Sequence, residues 1–173
     1  MLLNVGIDRK RQRRIVIAFF CLVITVACRW ENLLFSASVS VPQQWTRMDT
    51  VEFNISEQLS NISTRLTPDR SFRFVVDIRY TRKYAYPDLC LQVRHNVTDS
   101  LNWQIDTLRC SLYDGKGKPL GKGLANLYAI EVPYAKLVAD GGNQVCVQMV
   151  HCMADDSLKG ITDLGIRVQS IVE

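Results

Sequence analysis

The chain has 173 residues, 47% of them apolar, with 21 basic and 17 acidic groups and a formal charge of +4. That length and apolar content suit one globular domain and exclude a disordered chain. The charge is not spread evenly: residues 1–28 hold five basic groups and one acid, Asp8, and from Arg29 onward the two signs balance. A neutral domain excludes nucleic acid as a partner, because phosphate backbones are gripped by a basic surface.

The N-terminus points to a location. Arg9-Lys10-Arg11-Gln12-Arg13-Arg14 precedes the apolar run Ile15–Ala27, and Cys28 follows directly. A run of 13 residues is too short for a bilayer, which takes about 20 apolar residues. A basic stretch, a short apolar stretch and a small residue at the processing point make residues 1–27 a secretory signal. Thr25-Val26-Ala27-Cys28 resembles the bacterial lipobox, whose cysteine is acylated and becomes the new N-terminus. Thr25 stands where leucine is usual. The expected first partner is therefore a lipid bilayer, reached through acylated Cys28.

Residues 28–48 read as a lipidated N-terminus and linker, polar, with Pro42 and two glutamines before Trp45. Period-two alternation, the mark of a half-buried strand, dominates residues 49–173. Val51, Phe53 and Ile55 show it first, and Phe72, Phe74, Val76, Ile78 and Tyr80 show it best. Leu89-Leu91-Val93, Leu108-Cys110-Leu112, Tyr128-Ile130-Val132, Val145-Val147-Met149 and Leu164-Ile166-Val168 follow. Turn signals separate them, among them Tyr86-Pro87-Asp88, Asp114 to Gly117 and Asp140 to Asn143. Glu57 to Leu66 reads as a helical turn or a loop. The pattern predicts an all-β fold, an antiparallel β-sandwich of about seven to eight strands.

Four cysteines belong to the domain: Cys90, Cys110, Cys146 and Cys152. With no CxxC pair and only His95 and His151, the spacing does not make a zinc site. Cys110 shares the apolar face of Leu108 and Leu112 and reads as core. Cys146 and Cys152 lie about 20 Å apart in a straight strand, beyond the roughly 7 Å reach of a disulfide. Cys90 and Cys146 can bridge if their strands are neighbours. The alternative is a set of small buried hydrophobes.

No catalytic constellation emerges. There is no GxSxG nucleophile elbow. His151 shares the face of Val147 and Met149 and reads as a tolerated edge residue. Asp155 and Asp156 read as a solvated turn. Gly115 to Gly123 lacks the order of a phosphate-binding loop and reads as a hairpin loop. The expectation is a non-enzymatic domain with no cofactor, no metal and no identified small-molecule substrate.

Two features stay open as surfaces. Tyr80, Arg82, Tyr84 and Tyr86 interleave aromatics and cations at a strand end, which suits either partner contact or capping of the sandwich. The tripeptides starting at Asp49, Asp99, Asp106 and Asp156 follow an Asp-Ser/Thr-apolar pattern that resembles O-glycosylation sites of exported Bacteroides-group proteins. Asn54, Asn61 and Asn96 head sequons that would be N-glycosylated only in a eukaryotic host. Exposed Tyr84, Tyr86 or Trp103 would suit an alternative role, a module binding carbohydrate or peptidoglycan.

The C-terminal two-thirds carries a recognisable order. Asp77-Ile78-Arg79-Tyr80 leads to Tyr84-Ala85-Tyr86-Pro87-Asp88-Leu89. Leu112-Tyr113-Asp114-Gly115-Lys116-Gly117 comes later, and Gly160-Ile161-Thr162-Asp163-Leu164-Gly165-Ile166 lies near the end. Residues 28–170 resemble the gliding motility lipoprotein family GldH of Bacteroidota. Members are needed for surface gliding in motile species and also occur in bacteria that do not glide. The resemblance implies lipid on Cys28, other envelope or gliding proteins as partners, and no catalytic residue or cofactor. The loop before Gly121 is Lys-rich where the family often has an aromatic. After Cys28, Arg29-Trp30-Glu31-Asn32 lacks an acid-rich surface-export signal, so an outer-membrane domain facing the periplasm is expected.

Overall fold

The computed structural model describes residues 33–57, 71–99, 101–138 and 145–171. The signal segment, Cys28, Asn61, Ser100 and most of Glu57 to Leu66 lie outside the described residues. The strands in chain order are β1 Leu33–Ser40, β2 Trp45–Thr46, β3 Val51–Asn54, β4 Ser71–Thr81, β5 Asp88–His95 and β6 Gln104–Ser111. They continue with β7 Lys122–Leu124, β8 Leu127–Val138, β9 Cys146–His151, β10 Ser157–Leu158 and β11 Ile161–Ser170. Among the described residues no helix is long and apolar enough to cross a membrane.

Two sheets form the body, one ordered β1-β11-β4-β8-β7 and the other β3-β9-β5-β6, with β10-β2 as a two-stranded accessory. Every recorded pairing is antiparallel. Alternation explains the burial. Phe72, Phe74, Val76, Ile78 and Tyr80 of β4 point inward, and so do Leu164, Ile166 and Val168 of β11. From the other sheet Val51, Phe53, Leu89, Leu91, Val93, Val147 and Met149 meet them in one cluster. Each such side chain contributes about 1.5–3 kcal/mol of hydrophobic stabilisation. A one-residue slip would turn a whole strand's apolar set to water. The fold is the expected antiparallel β-sandwich.

All seven predicted strands are present, and the domain begins earlier than the linker reading of residues 28–48 allowed. β1 pairs along its length with β11, Ser36 opposite Arg167 and Ser40 opposite Asp163. Ser36, Ser38 and Ser40 face outward while Phe35 and Ala37 pack against the core. Its apolar side is thin, and a register shift at Leu33/Phe35 breaks the period. Trp45, also placed in the linker, is fully buried. Its indole N–H donates to the Asp49 carbonyl at 2.7 Å.

Candidate functional site

The tyrosine-rich segment sits where the chain crosses from one sheet to the other. The Tyr80 hydroxyl donates to the Leu112 carbonyl at 2.6 Å and accepts from the Gly121 N–H at 3.0 Å. The Tyr84 hydroxyl donates to the Asp88 carbonyl at 2.8 Å. Tyr80 packs edge-on to Tyr113, and Tyr84 edge-on to Tyr86. Tyr80 and Tyr84 are 0% and 3% exposed. The partner-contact reading of these two is therefore corrected: their rings fill the end of the core and their hydroxyls satisfy loop backbone. Burial raises the pKa of both phenols. Arg82 stays exposed, its Nε 3.0 Å from the Tyr128 hydroxyl and its guanidinium over the Tyr128 ring. Tyr86 is half-buried and donates to Asp155, which raises its own pKa.

The segments that carried the resemblance meet at this corner. Gly160 has φ +93°, and a Cβ there would lie 2.3 Å from the Tyr84 nitrogen. The Thr81 N–H donates to the Gly160 carbonyl at 2.7 Å. The motif glycine is thus a close-approach position, and the Tyr-Pro segment is what approaches it. Asp163 of the same motif accepts from Ser40 Oγ at 2.8 Å, tying β11 to β1.

A groove of about 500 Å³ lies on the outer face of the five-stranded sheet. Small residues Ser36, Ser38 and Ala129 leave room in it, while Asp77, Arg79, Lys122, Glu131 and Arg167 line it with charge. Arg167 grips Asp77 through two 2.7 Å hydrogen bonds and reaches Glu131 at 3.0 Å. The Asp77 hydrogen bonds come first in raising the Arg167 pKa. Leu120, Ile78 and Ile130 add apolar surface, and no aromatic ring is among the residues that line it.

Both histidines are held in buried contacts. His95, fully buried, has Nε2 3.3 Å from Asp106 and accepts the Val97 N–H on Nδ1 at 3.4 Å. Asp106 also takes the Tyr134 hydroxyl from the opposite sheet, so this chain of groups links β5 and β6 to β8. Its centre is the acid, where an acid–base relay needs the imidazole. His151 is 2% exposed, its Nε2 3.1 Å from the Trp45 carbonyl and its ring edge-on to Trp45. That corrects its reading as an edge residue, because β2 and the turn after it cover the strand end. Burial lowers its pKa. Among the described residues no group of three or more His, Cys, Asp or Glu stands ready for a metal ion.

The carbohydrate-site reading loses its platform. Tyr84 is core, and Trp103 is 39% exposed but stacked 4.9 Å from the Arg94 guanidinium. Tyr86 precedes β5 and Trp103 precedes β6, whose Gln104 pairs with His95. The eight residues of β5 hold those rings roughly 25 Å apart. Asn96 is buried and accepts from the Cys146 N–H at 2.8 Å, so its sequon has no free side chain. Thr50, Thr107 and Ser157 are exposed.

The thiols fall differently from the expected pair. Cys110 is core as predicted, and burial pushes its thiol up to about 12. Cys90 and Cys146 do lie on neighbouring strands, but the register sets Cys146 opposite Asn54 and aligns Cys90 with Cys152. The sequence made the bridge conditional on adjacency; the adjacency holds, and the register separates the pair.

Comparisons with known proteins divide sharply. Tobacco streak virus coat protein aligns at 6% identity over 82% of this chain and 89% of that one, with a TM-score of 0.29. An Israel acute paralysis virus pentamer chain gives 8% over 87% and 92%, TM-score 0.30. A Nora virus chain gives 10% over 79% and 53%, TM-score 0.31. Scores this low carry no argument about this chain. No curated protein matches it. The model of the GldH lipoprotein matches residues 34–168, from the second residue of β1 into β11, and so the chain belongs to the GldH lipoprotein family.

Proposed function

We propose that the protein is a non-enzymatic lipoprotein held by acylated Cys28 at the outer membrane, facing the periplasm. Its sandwich works by docking to other envelope proteins, in the gliding machinery of motile species or in a related assembly elsewhere. One observation carries the reading: a lipoprotein family match over residues 34–168 stands directly behind a basic, apolar leader ending in Cys28. The neutral charge from Arg29 onward supports protein rather than nucleic-acid partners. Both buried imidazoles are engaged in structural contacts, which supports a role without catalysis.

The anchor has a physical requirement. Each buried CH₂ contributes about 0.8 kcal/mol, so a single chain binds reversibly and lasting attachment takes two or more. Palmitate labelling tests the site. The wild-type chain should take up label and partition with membranes, and Cys28→Ala should lose the label and release the domain. Label retained by the variant would overturn the anchor. Crosslinking in native envelopes, read by mass spectrometry, then tests for protein partners.

A further inference from the structure

We propose that Cys90 and Cys152 form a cross-strand disulfide that staples β9 to β5 on the outer face of the four-stranded sheet. The oxidising compartment it needs rests on the exported reading above, whereas the geometry stands without it. β5 and β9 run antiparallel with Leu91 opposite His151. One step outward, the Cys152 N–H donates to the Cys90 carbonyl at 2.9 Å. Hydrogen-bonded antiparallel partners have Cα atoms about 5.5 Å apart, inside the roughly 4.4–6.8 Å span of disulfides. Leu91 and His151 point into the core, so both cysteines point away from it, and their Sγ atoms lie 2.7 Å apart. Met153 flanks the pair, its Sδ accepting from the Cys90 N–H at 3.2 Å. Among the described residues neither other thiol competes: Cys110 faces the core, and Cys146 lies six residues back along β9, roughly 20 Å away.

Exposure assigns the order of events. Cys152 is exposed and Cys90 is 8% exposed. The Cys152 thiol gives its proton to solvent, and the thiolate attacks a disulfide oxidant, expelling one thiolate and leaving a mixed disulfide on Cys152. The Cys90 thiol loses its proton, attacks Cys152 Sγ and expels the second thiolate. Two electrons pass from the pair to the oxidant, and the two released protons match those the departing thiolates take up. Burial, then the hydrogen bond with Cys90, pushes the Cys152 thiol up to about 11. That slows attack at neutral pH.

The test uses the full chain. Reduced protein is incubated with oxidised glutathione, alkylated without reduction and mapped by mass spectrometry. The expected product is one linked peptide joining Cys90 to Cys152, with Cys110 and Cys146 as free thiols and neither Cys21 nor Cys28 joined to them. Bridging across 62 positions should raise Tm by about 10 °C over the reduced form. Cys152→Ser should show no such gap between oxidised and reduced samples. Glutathione left on Cys152 without a bridge, or a bridge to Cys146, would overturn the proposal. A second arm alkylates cells before lysis. A bridge formed in the purified chain but absent from cells would count against export and leave the pair standing.

Discussion

At the scale of single residues, His151 is the group whose chemistry burial changes most usefully. Its ring lies under Trp45 with Nδ1 unpaired and Nε2 against a carbonyl. Burial lowers its pKa, so the unfolded chain binds a proton that the folded chain refuses. The stability it contributes is complete above the unfolded value of about 6.5 and is lost as pH falls below it. Urea unfolding should show wild-type stability declining through that window. His151→Phe, which keeps a ring against Trp45, should flatten the decline whatever its absolute stability. An unchanged slope in the variant would assign the acid sensitivity to other groups.

Elements show where alternation succeeds and where it misleads. β4 is legible because Phe72, Phe74, Val76, Ile78 and Tyr80 hold one period with only Val75 buried off it, and β11 is nearly as clear. β1 alternates only beyond the shift at Leu33/Phe35, and there its inward side has just Ala37 and the half-exposed Val39, so little hydrophobicity marks it. β8 runs through Pro133, a residue that reads as a stop. It is tolerated because β7 pairs only with Leu127 to Ala129, leaving Pro133 on an open edge. A register shift against Phe74/Val75 sits at the same place. Since β1 covers the β11 edge, a chain starting at residue 42, which keeps Trp45 and β2, should expose unpaired backbone there and aggregate. A chain starting at residue 29 should remain monomeric in size-exclusion chromatography. Equal behaviour of the two would mean that β1 adds nothing to the sheet.

For the whole molecule, the crossing from the five-stranded to the four-stranded sheet is the point that local patterns describe least. The chain leaves β4, turns through Arg82 to Pro87 and enters β5. Gly160, at the entry to β11, clamps that crossing by standing against the Tyr84 backbone. Gly160→Ala adds a methyl to a positive-φ position with no space for it. The expected loss is at least about 2 kcal/mol in denaturant unfolding, with the secondary structure retained in circular dichroism. A loss below about 0.5 kcal/mol, the range of ordinary surface changes, would show that the corner relaxes without cost.

Sequence alone determined the all-β class, seven of the eleven strands among the described residues, the neutral charge of the domain, the hydrophobic face of each principal strand and the core position of Cys110. All of these follow from neighbours a few positions apart, where a period of two is written directly into the residue order. Tertiary structure decided that Tyr80 and Tyr84 close the core, that His151 lies beneath Trp45, and that Cys90 faces Cys152. Those outcomes depend on which strands pair and in what register, and register is fixed by packing between segments distant in the chain, which no local period records.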